Sequence, residues 1–324
     1  MKISIALCTY NGDKYLKEQL DSILYQGRKP DEVVICDDGS IDNSWDILKK
    51  FKKDAPFDVQ LVKNEKNLGS TLNFAKAISR CSGDIIFLAD QDDVWIPNKI
   101  EVMMNTFESD DNVGMVFSNA VLTDQYLNPY AKSLWEGVGF NEAIQQLCID
   151  GQLWRILGRQ SCVTGATMAF RSKWNFMIFP FPKDWVHDEW LTFLLDLITV
   201  VKFVPEKLIM YRQHQKQQIG VRLKKKNLIV RLRSIIFPDR SRHRYKKRIS
   251  RLSDVLARMK DYDQFLRENF MLKEMQHQLN HWSIRYTLPK NPWKKWNIIY
   301  QEIIRGNYCK YSQSNIMAIK DFFE

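Results

Sequence analysis

Residues 84–97, DIIFLADQDDVWIP, form a short apolar run that breaks into three carboxylates, Asp90, Asp92 and Asp93. Ile85, Ile86, Phe87 and Leu88 have the length and branching of a strand covered on both faces, as in a parallel sheet. Such a strand delivers its C-terminal residues to the sheet edge at which open α/β folds bind ligands. Three acids crowded there repel one another and require a counter-charge, most simply a divalent cation. Mg²⁺ or Mn²⁺ takes oxygen from one or two carboxylates and shares the rest of its shell with phosphates. An acidic cap on the helix after Pro97 accounts for the same residues without a metal.

On either side of this stretch, strands alternate with helices. Ile3–Cys8 reads as a buried strand ending in Thr9-Tyr10-Asn11-Gly12, followed by a helix over 13–26 on Tyr15, Leu16, Leu20, Ile23 and Leu24. Glu32–Cys36 is a second strand, ending in Asp37-Asp38-Gly39-Ser40, and Ser40 or Asp42 caps a helix carrying Trp45, Leu48 and Phe51. A strand at Val59–Val62 precedes the turn Asn67-Leu68-Gly69-Ser70 and a helix reaching Ile78. A helix follows Pro97 to about Phe107, then a strand spans Val113–Ser118. This alternation predicts an α/β fold built on a mostly parallel sheet. Neither GxGxxG nor GxxxxGK[ST] occurs, which weighs against dinucleotide and P-loop chemistry. Asp38 has two readings, as acceptor for the imide N–H of uracil or thymine or as brace of its own Asp-Gly bend. Tyr10 is placed to stack on such a base.

The ordered pattern CTYNG, VVICDDGSIDNS, NLGSTLNFAKAI and FLADQDDVWIPNKI resembles the family 2 glycosyltransferases of GT-A fold. Within that family it is most similar to the bacterial rhamnosyltransferase-like enzymes of surface-polysaccharide synthesis. The resemblance covers about residues 1–215. It implies that Asp90-Gln91-Asp92, with Asp93 beside it, is the DxD element holding Mn²⁺ or Mg²⁺ on a donor diphosphate. Thr9, Tyr10, Asn11 and Asp38 then match the nucleoside pocket, and Asn67 and Gly69 a turn close to the donor. Gly165-Ala166-Thr167-Met168-Ala169-Phe170 resembles the strand beside the acceptor. Gly165 there serves either a close approach or only a bend.

His187-Asp188-Glu189-Trp190 is a second acid site, lying where a helix N-terminus meets the sheet edge. Displacement at an anomeric carbon needs a base for the acceptor hydroxyl. Asp188 matches the family position, with Glu189 and Trp190 on the acceptor side; adjacent helical side chains point in different directions, and a helix cap remains open for both acids. Tyr211-Arg212-Gln213-His214 resembles an element that folds over the donor. Arg212 is a bidentate candidate for phosphate, and His214 is either a metal ligand or structural.

At 324 residues the chain accommodates one α/β catalytic domain, residues 1–215, and an extension, 216–324. Its net charge of +10 is local: Arg222 to Arg251 holds thirteen Lys/Arg and one acid, leaving the rest close to neutral. Tyr245, Ile249, Leu252, Val255, Leu256, Met259 and Tyr262 recur at helical spacing behind that charge. Residues 222–260 therefore read either as a helix packed on the domain or as an interfacial helix on anionic lipid. Trp282, Trp293 and Trp296, with Lys294 and Lys295, extend that surface or fill a small helical core. The apolar residues follow a stripe rather than a stacking platform, which disfavours nucleic acid. Six scattered cysteines without metal spacing, no leader before the first strand and no apolar run long enough to span a bilayer suggest a cytoplasmic protein on the inner membrane face. The resulting expectation is an inverting glycosyltransferase using dTDP-rhamnose or a UDP-hexose on a lipid-linked saccharide acceptor. A sugar-nucleotidyltransferase is the alternative, although TYNG lacks the glycine-rich basic loop of those enzymes.

Overall fold

Among the described residues, nine strands join in one sheet whose centre is apolar on both faces. A computed structural model of the chain describes residues 1–215, 217, 239–312 and 314–323. The strands are β1 Ile3–Thr9, β2 Glu32–Asp37, β3 Asp58–Lys63, β4 Ile85–Ala89, β5 Val94–Trp95, β6 Val113–Thr123, β7 Pro129–Ser133, β8 Met168–Arg171 and β9 Val200–Arg212. Their order is β3-β2-β1-β4-β8-β6-β9-β5, with β7 paired to β6. β1 runs parallel to β2 and β4, and β6 parallel to β9, while β8 is antiparallel between β4 and β6. Every residue of β1 and β4 is buried, which is why neither alternates polar with apolar.

Register brings the motifs together. Thr9 lies opposite Asp37 and Leu7 opposite Ala89, so the polar stretches after β1, β2 and β4 leave the sheet side by side. The chain steps from β1 outward to β2 and β3, then returns to the other side of β1 as β4. That reversal opens a crevice at the strand ends. Helices Asp13–Leu24, Ser44–Asp54, Ser70–Ile78 and Lys99–Glu108 connect these strands. Elsewhere the elements differ from expectation. The strand from Val113 continues past Ser118 to Thr123, because it pairs along its length with the 13-residue β9 through register shifts that no sequence pattern signals. The Gly165 element begins as a single 3-10 turn, Gly165–Thr167, before β8.

The chain divides into two units, Met1–Arg222 and Leu223–Glu324, seven residues beyond the expected boundary at 215. The second unit holds helices Asp239–Met259, Met271–Tyr286, Pro292–Ile304, Asn307–Ser312 and Ile316–Phe323. The apolar stripe of the first of these is internal rather than lipid-facing. Tyr245, Leu252, Val255, Leu256 and Met259 are buried, as are Met271, Met275 and Trp282 of the next helix, which packs against it. Arg244, Lys246 and Lys247 keep an exposed basic face. Residues 222–238 of the expected interfacial segment lie outside the described residues. Among the described residues no helix is long and apolar enough to cross a membrane.

A buried ion pair ties this unit together. Arg285 donates from Nε to Asp321 Oδ2 at 2.6 Å and from Nη1 to Ser312 Oγ at 2.7 Å, and Tyr308 OH donates to Asp321 Oδ2 at 2.7 Å. Asp321→Ala is expected to strand the guanidinium and destabilise the unit by about 3–5 kcal/mol. Urea unfolding of the full chain followed by tryptophan fluorescence checks this, and a loss under about 1 kcal/mol would show the pair to be dispensable.

Candidate active site

A cavity of about 750 Å³ opens at the ends of β1, β2 and β4. Thr9, Tyr10, Asp38, Asn67, Gly69, Asp90 and Asp92 line it from the first half of the chain, and Gly165, His187, Asp188 and Glu189 from the second. Gln91 locks two strand ends together: its Oε1 accepts from Thr9 Oγ1 at 2.7 Å and Tyr10 N at 2.8 Å. Asp38 is 3 % exposed and braces the 67–69 turn. Its Oδ1 accepts from Asn64 Nδ2 and Leu68 N at 2.8 Å, and its Oδ2 from Gly69 N at 2.9 Å. Gly69 has φ +80°, a conformation that favours glycine at this turn. The Asp-Gly bend itself is held by Asp37, whose Oδ1 accepts from Gly39 N and Ser40 N. Asp38 thus retains lone-pair capacity on Oδ2 at the cavity.

The second acid pole sits in the first turn of helix His187–Ile198. Asp188 Oδ2 accepts from Gly165 N at 3.0 Å and Oδ1 from Glu189 N at 2.6 Å. Both bonds fix the orientation of the carboxylate at the start of the helix. Burial, then Asp92 and Asp188, push the Asp90 carboxyl up to about 7.

Residues 4–171, just over half of the chain, match the family described as glycosyl transferase family 2. The chain belongs to that family. An uncharacterized glycosyltransferase of Nostoc sp. is 34 % identical over 116 residues, 36 % of this chain and 36 % of that protein. A UDP-Glc:alpha-D-GlcNAc-diphosphoundecaprenol beta-1,3-glucosyltransferase of Escherichia coli, WfaP, is 29 % identical over 39 % of this chain and 48 % of its own length. The chain spans less than half the length of these curated relatives. Its fold is GT-A: it aligns with S. aureus TarS at a TM-score of 0.55 and 13 % identity, covering 92 % of this chain and 79 % of that one. A mannosyltransferase of Pyrobaculum calidifontis, solved in complex with GDP-Man and Mn²⁺, aligns at 0.52 and 16 % identity, covering 99 % and 84 %.

Within this family 2 fold, the expected residues divide. Asn11, at φ +47°, lines a neighbouring cavity of about 770 Å³ together with Tyr10, Gln91 and His214. There Asn11 Oδ1 accepts from Ile41 N, joining the loops after β1 and β2. The set Asp90, Asp92, Asp93 and His214 does not assemble as a metal cage. Among the described residues no three His, Cys, Asp or Glu side chains are grouped to hold an ion. Asp93 is fully buried, accepting from Arg212 N at 3.1 Å, and His214 Nε2 lies 2.8 Å from Asp92 Oδ2. Arg212 does not line the cavity. It is 1 % exposed, with its guanidinium donating to Asp92 O, Gln125 O and Glu18. Trp190 is 1 % exposed and donates to Ile178 O, packing beneath the helix rather than beside the cavity.

Three residues went unread in the sequence. Gln91 is the clamp described above. Lys99 is fully buried: its Nζ donates to Ala166 O at 2.8 Å and lies 3.7 Å from the Trp95 ring centre. Burial pulls this amine well down and Asp93 and Asp90 only partly offset it, so the side chain lies behind the acid cluster in an environment that disfavours its charge. A lysine directly after a helix-initiating Pro-Asn gave no hint of burial. His187 is 5 % exposed, stacks on Phe74 at 3.9 Å and has no hydrogen-bond partner on either ring nitrogen.

Proposed function

We propose that this family 2 protein is a metal-dependent, inverting glycosyltransferase that moves a sugar from a nucleoside-diphosphate donor to a saccharide hydroxyl. The observation that carries this reading is the convergence of Asp90 and Asp188, nearly a hundred residues apart, on one cavity also lined by Thr9, Tyr10 and Asp38. Its volume suits a ligand of nucleotide-sugar size. Tyr10 and the free capacity of Asp38 Oδ2 favour a uracil or thymine base, hence a UDP-hexose or dTDP-rhamnose. The name of the E. coli relative, which specifies a UDP-sugar and a diphosphoundecaprenol acceptor, supports a lipid-linked acceptor and a role in bacterial surface-polysaccharide synthesis.

The donor set fits a hard cation. Asp90 and Asp92 offer carboxylate oxygens only, and a cation would offset the burial and the repulsion that together hold Asp90 protonated to about pH 7. Two protein carboxylates leave room for diphosphate oxygens to complete a Mn²⁺ or Mg²⁺ shell. When bound, such an ion neutralises charge on the departing diphosphate. Asp188 takes the proton from the attacking acceptor hydroxyl, held in place by Gly165 N and Glu189 N. Attack from the face opposite the leaving group gives a β-linked product from an α-linked donor. Incubation with candidate donors, acceptors and Mn²⁺ or Mg²⁺, with assay of nucleoside-diphosphate release and NMR of the linkage, tests the reading. A product that keeps the donor's anomeric configuration would overturn inversion.

His187 belongs to the acceptor side of this scheme. Burial holds its ring neutral, with the pKa pushed down to about 3, so the ring keeps one donor and one acceptor, both buried and unpartnered in the cavity wall. Its Nε2 lies so close to Gly165 that a β-carbon there would come within 2.5 Å. His187→Phe preserves the stack on Phe74 and is expected to raise the acceptor KM roughly tenfold to a hundredfold. Donor affinity should stay within about twofold, and His187→Gln should recover part of the loss. An unchanged KM in the Phe variant would assign the ring to packing alone.

A further inference from the structure

Helices Pro292–Ile304 and Ile316–Phe323 each have two apolar faces, of which one is packed. The inner faces supply Ile299 and Ala318 to a small core with Tyr308, flanked by Ile303, Met317 and Phe322. On the outer face of the first helix, Trp293, Trp296, Tyr300 and Ile304 recur every three or four residues and are 83, 48, 48 and 62 % exposed. Ile316, Ile319 and Phe323 form the matching stripe on the second, at 71, 61 and 79 %. The stripes meet where the Trp296 ring stands edge-on to Phe322 at 5.7 Å and Phe322 touches Phe323 at 5.4 Å. A helix apolar all round is ordinarily buried, and a contiguous apolar patch of this kind marks a partner.

The surrounding charges identify that partner. Lys290, Lys294, Arg305 and Lys310 are exposed and Lys320 partly so. The only acids among the described residues 288–323, Glu302 and Asp321, are buried against His281 and Arg285. Every exposed charge carried by the described residues 288–323 is therefore positive, although Lys310 is paired with Glu274. A symmetric dimer through this face would set one basic rim against another, which repels. An anionic lipid layer does the reverse: Trp and Tyr settle among headgroups, aliphatic side chains sink below them and basic side chains draw in the anionic lipid.

The geometry points to a membrane-docking surface formed by the outer faces of helices 292–304 and 316–323, seated on anionic lipid headgroups. It is separate from the stripe at Tyr245–Met259, whose apolar side is internal, and independent of the sugar chemistry because vesicle binding, not turnover, reports it. Full-length protein is floated with vesicles of phosphatidylethanolamine and phosphatidylglycerol in equal amounts, and with vesicles of phosphatidylcholine alone. Co-flotation is expected with the first and not the second. Combining Trp293→Ser, Ile304→Ser and Ile319→Ser removes only exposed side chains, so the melting temperature should hold while vesicle affinity falls more than about tenfold. Lys294→Gln and Arg305→Gln should each weaken binding about fivefold. Undiminished flotation of the triple variant overturns the surface. So does a wild-type protein that ignores vesicles but forms dimers which the triple variant cannot, an outcome assigning the patch to a second copy.

Discussion

Asp188→Asn protein is expected to bind the donor nucleotide normally and to transfer sugar roughly 10²–10⁴-fold more slowly than wild type. The substitution keeps the side chain's shape and one of its two backbone hydrogen bonds, from Gly165 N or from Glu189 N. The bond it loses costs about 1 kcal/mol, too little to unfold the domain. What disappears is the ability to accept a proton, so the deficit should fall on kcat with the donor Kd unchanged. Isothermal titration with nucleoside diphosphate and single-turnover transfer separate the two. Glu189→Gln is the companion variant, since Glu189 also lines the cavity. If Asp188→Asn turns over normally while Glu189→Gln fails, the base is the neighbouring acid.

Removing the charge of Asp90 produces the second large effect. Asp90→Asn takes away one of two carboxylates proposed for the cation, so Mn²⁺-dependent donor binding should weaken by more than the roughly 10–100-fold that loss of an outer partner costs. The pH dependence has a definite sign. Asp90 in the folded chain titrates near 7, above its ordinary value of 3.8, so the folded chain keeps a proton that the unfolded chain releases. Its contribution to metal-free stability is therefore present below about pH 4 and lost as pH rises toward 7. In chelator, Asp90→Asn should flatten that decline and melt higher than wild type at pH 8. Asp93, also held up by burial and by Asp92, accounts for any residual slope. Cation binding must displace the Asp90 proton, so metal affinity rises with pH through the same window and the variant loses that rise. Thermal melts in chelator and titrations with Mn²⁺ across this range measure both. A wild-type protein whose donor binding ignores chelator would remove the metal from the scheme.

The elements that could be read directly are those in which local pattern and environment agree. β1, β2 and β4 are buried on both faces, so their unbroken apolar runs announce a parallel sheet, and the polar residues that end them necessarily gather where the chain reverses. Asp90 and Asp188 were legible for the same reason: each follows an obvious boundary, one a strand end and the other a helix start. The acid triplet was harder. Charge crowding pointed to a counter-charge from outside the chain, and gave no sign that Lys99, which the linear order gives no cause to bury, packs behind the same acids.

Strand order along the chain, the hydrophobic periods and the acids at their ends follow from composition and spacing, because backbone pairing and one-sided burial act over a few neighbouring residues. Which side of each element meets which partner does not follow. Asp93 turns inward to Arg212 N, Arg212 turns away from the cavity, and the stripe of helix Asp239–Met259 closes on its neighbour, because the partners lie 119 residues away in one case and on a separate helix in the other. Desolvation and hydrogen-bond satisfaction are decided by those distant neighbours, and only the folded chain brings them into contact.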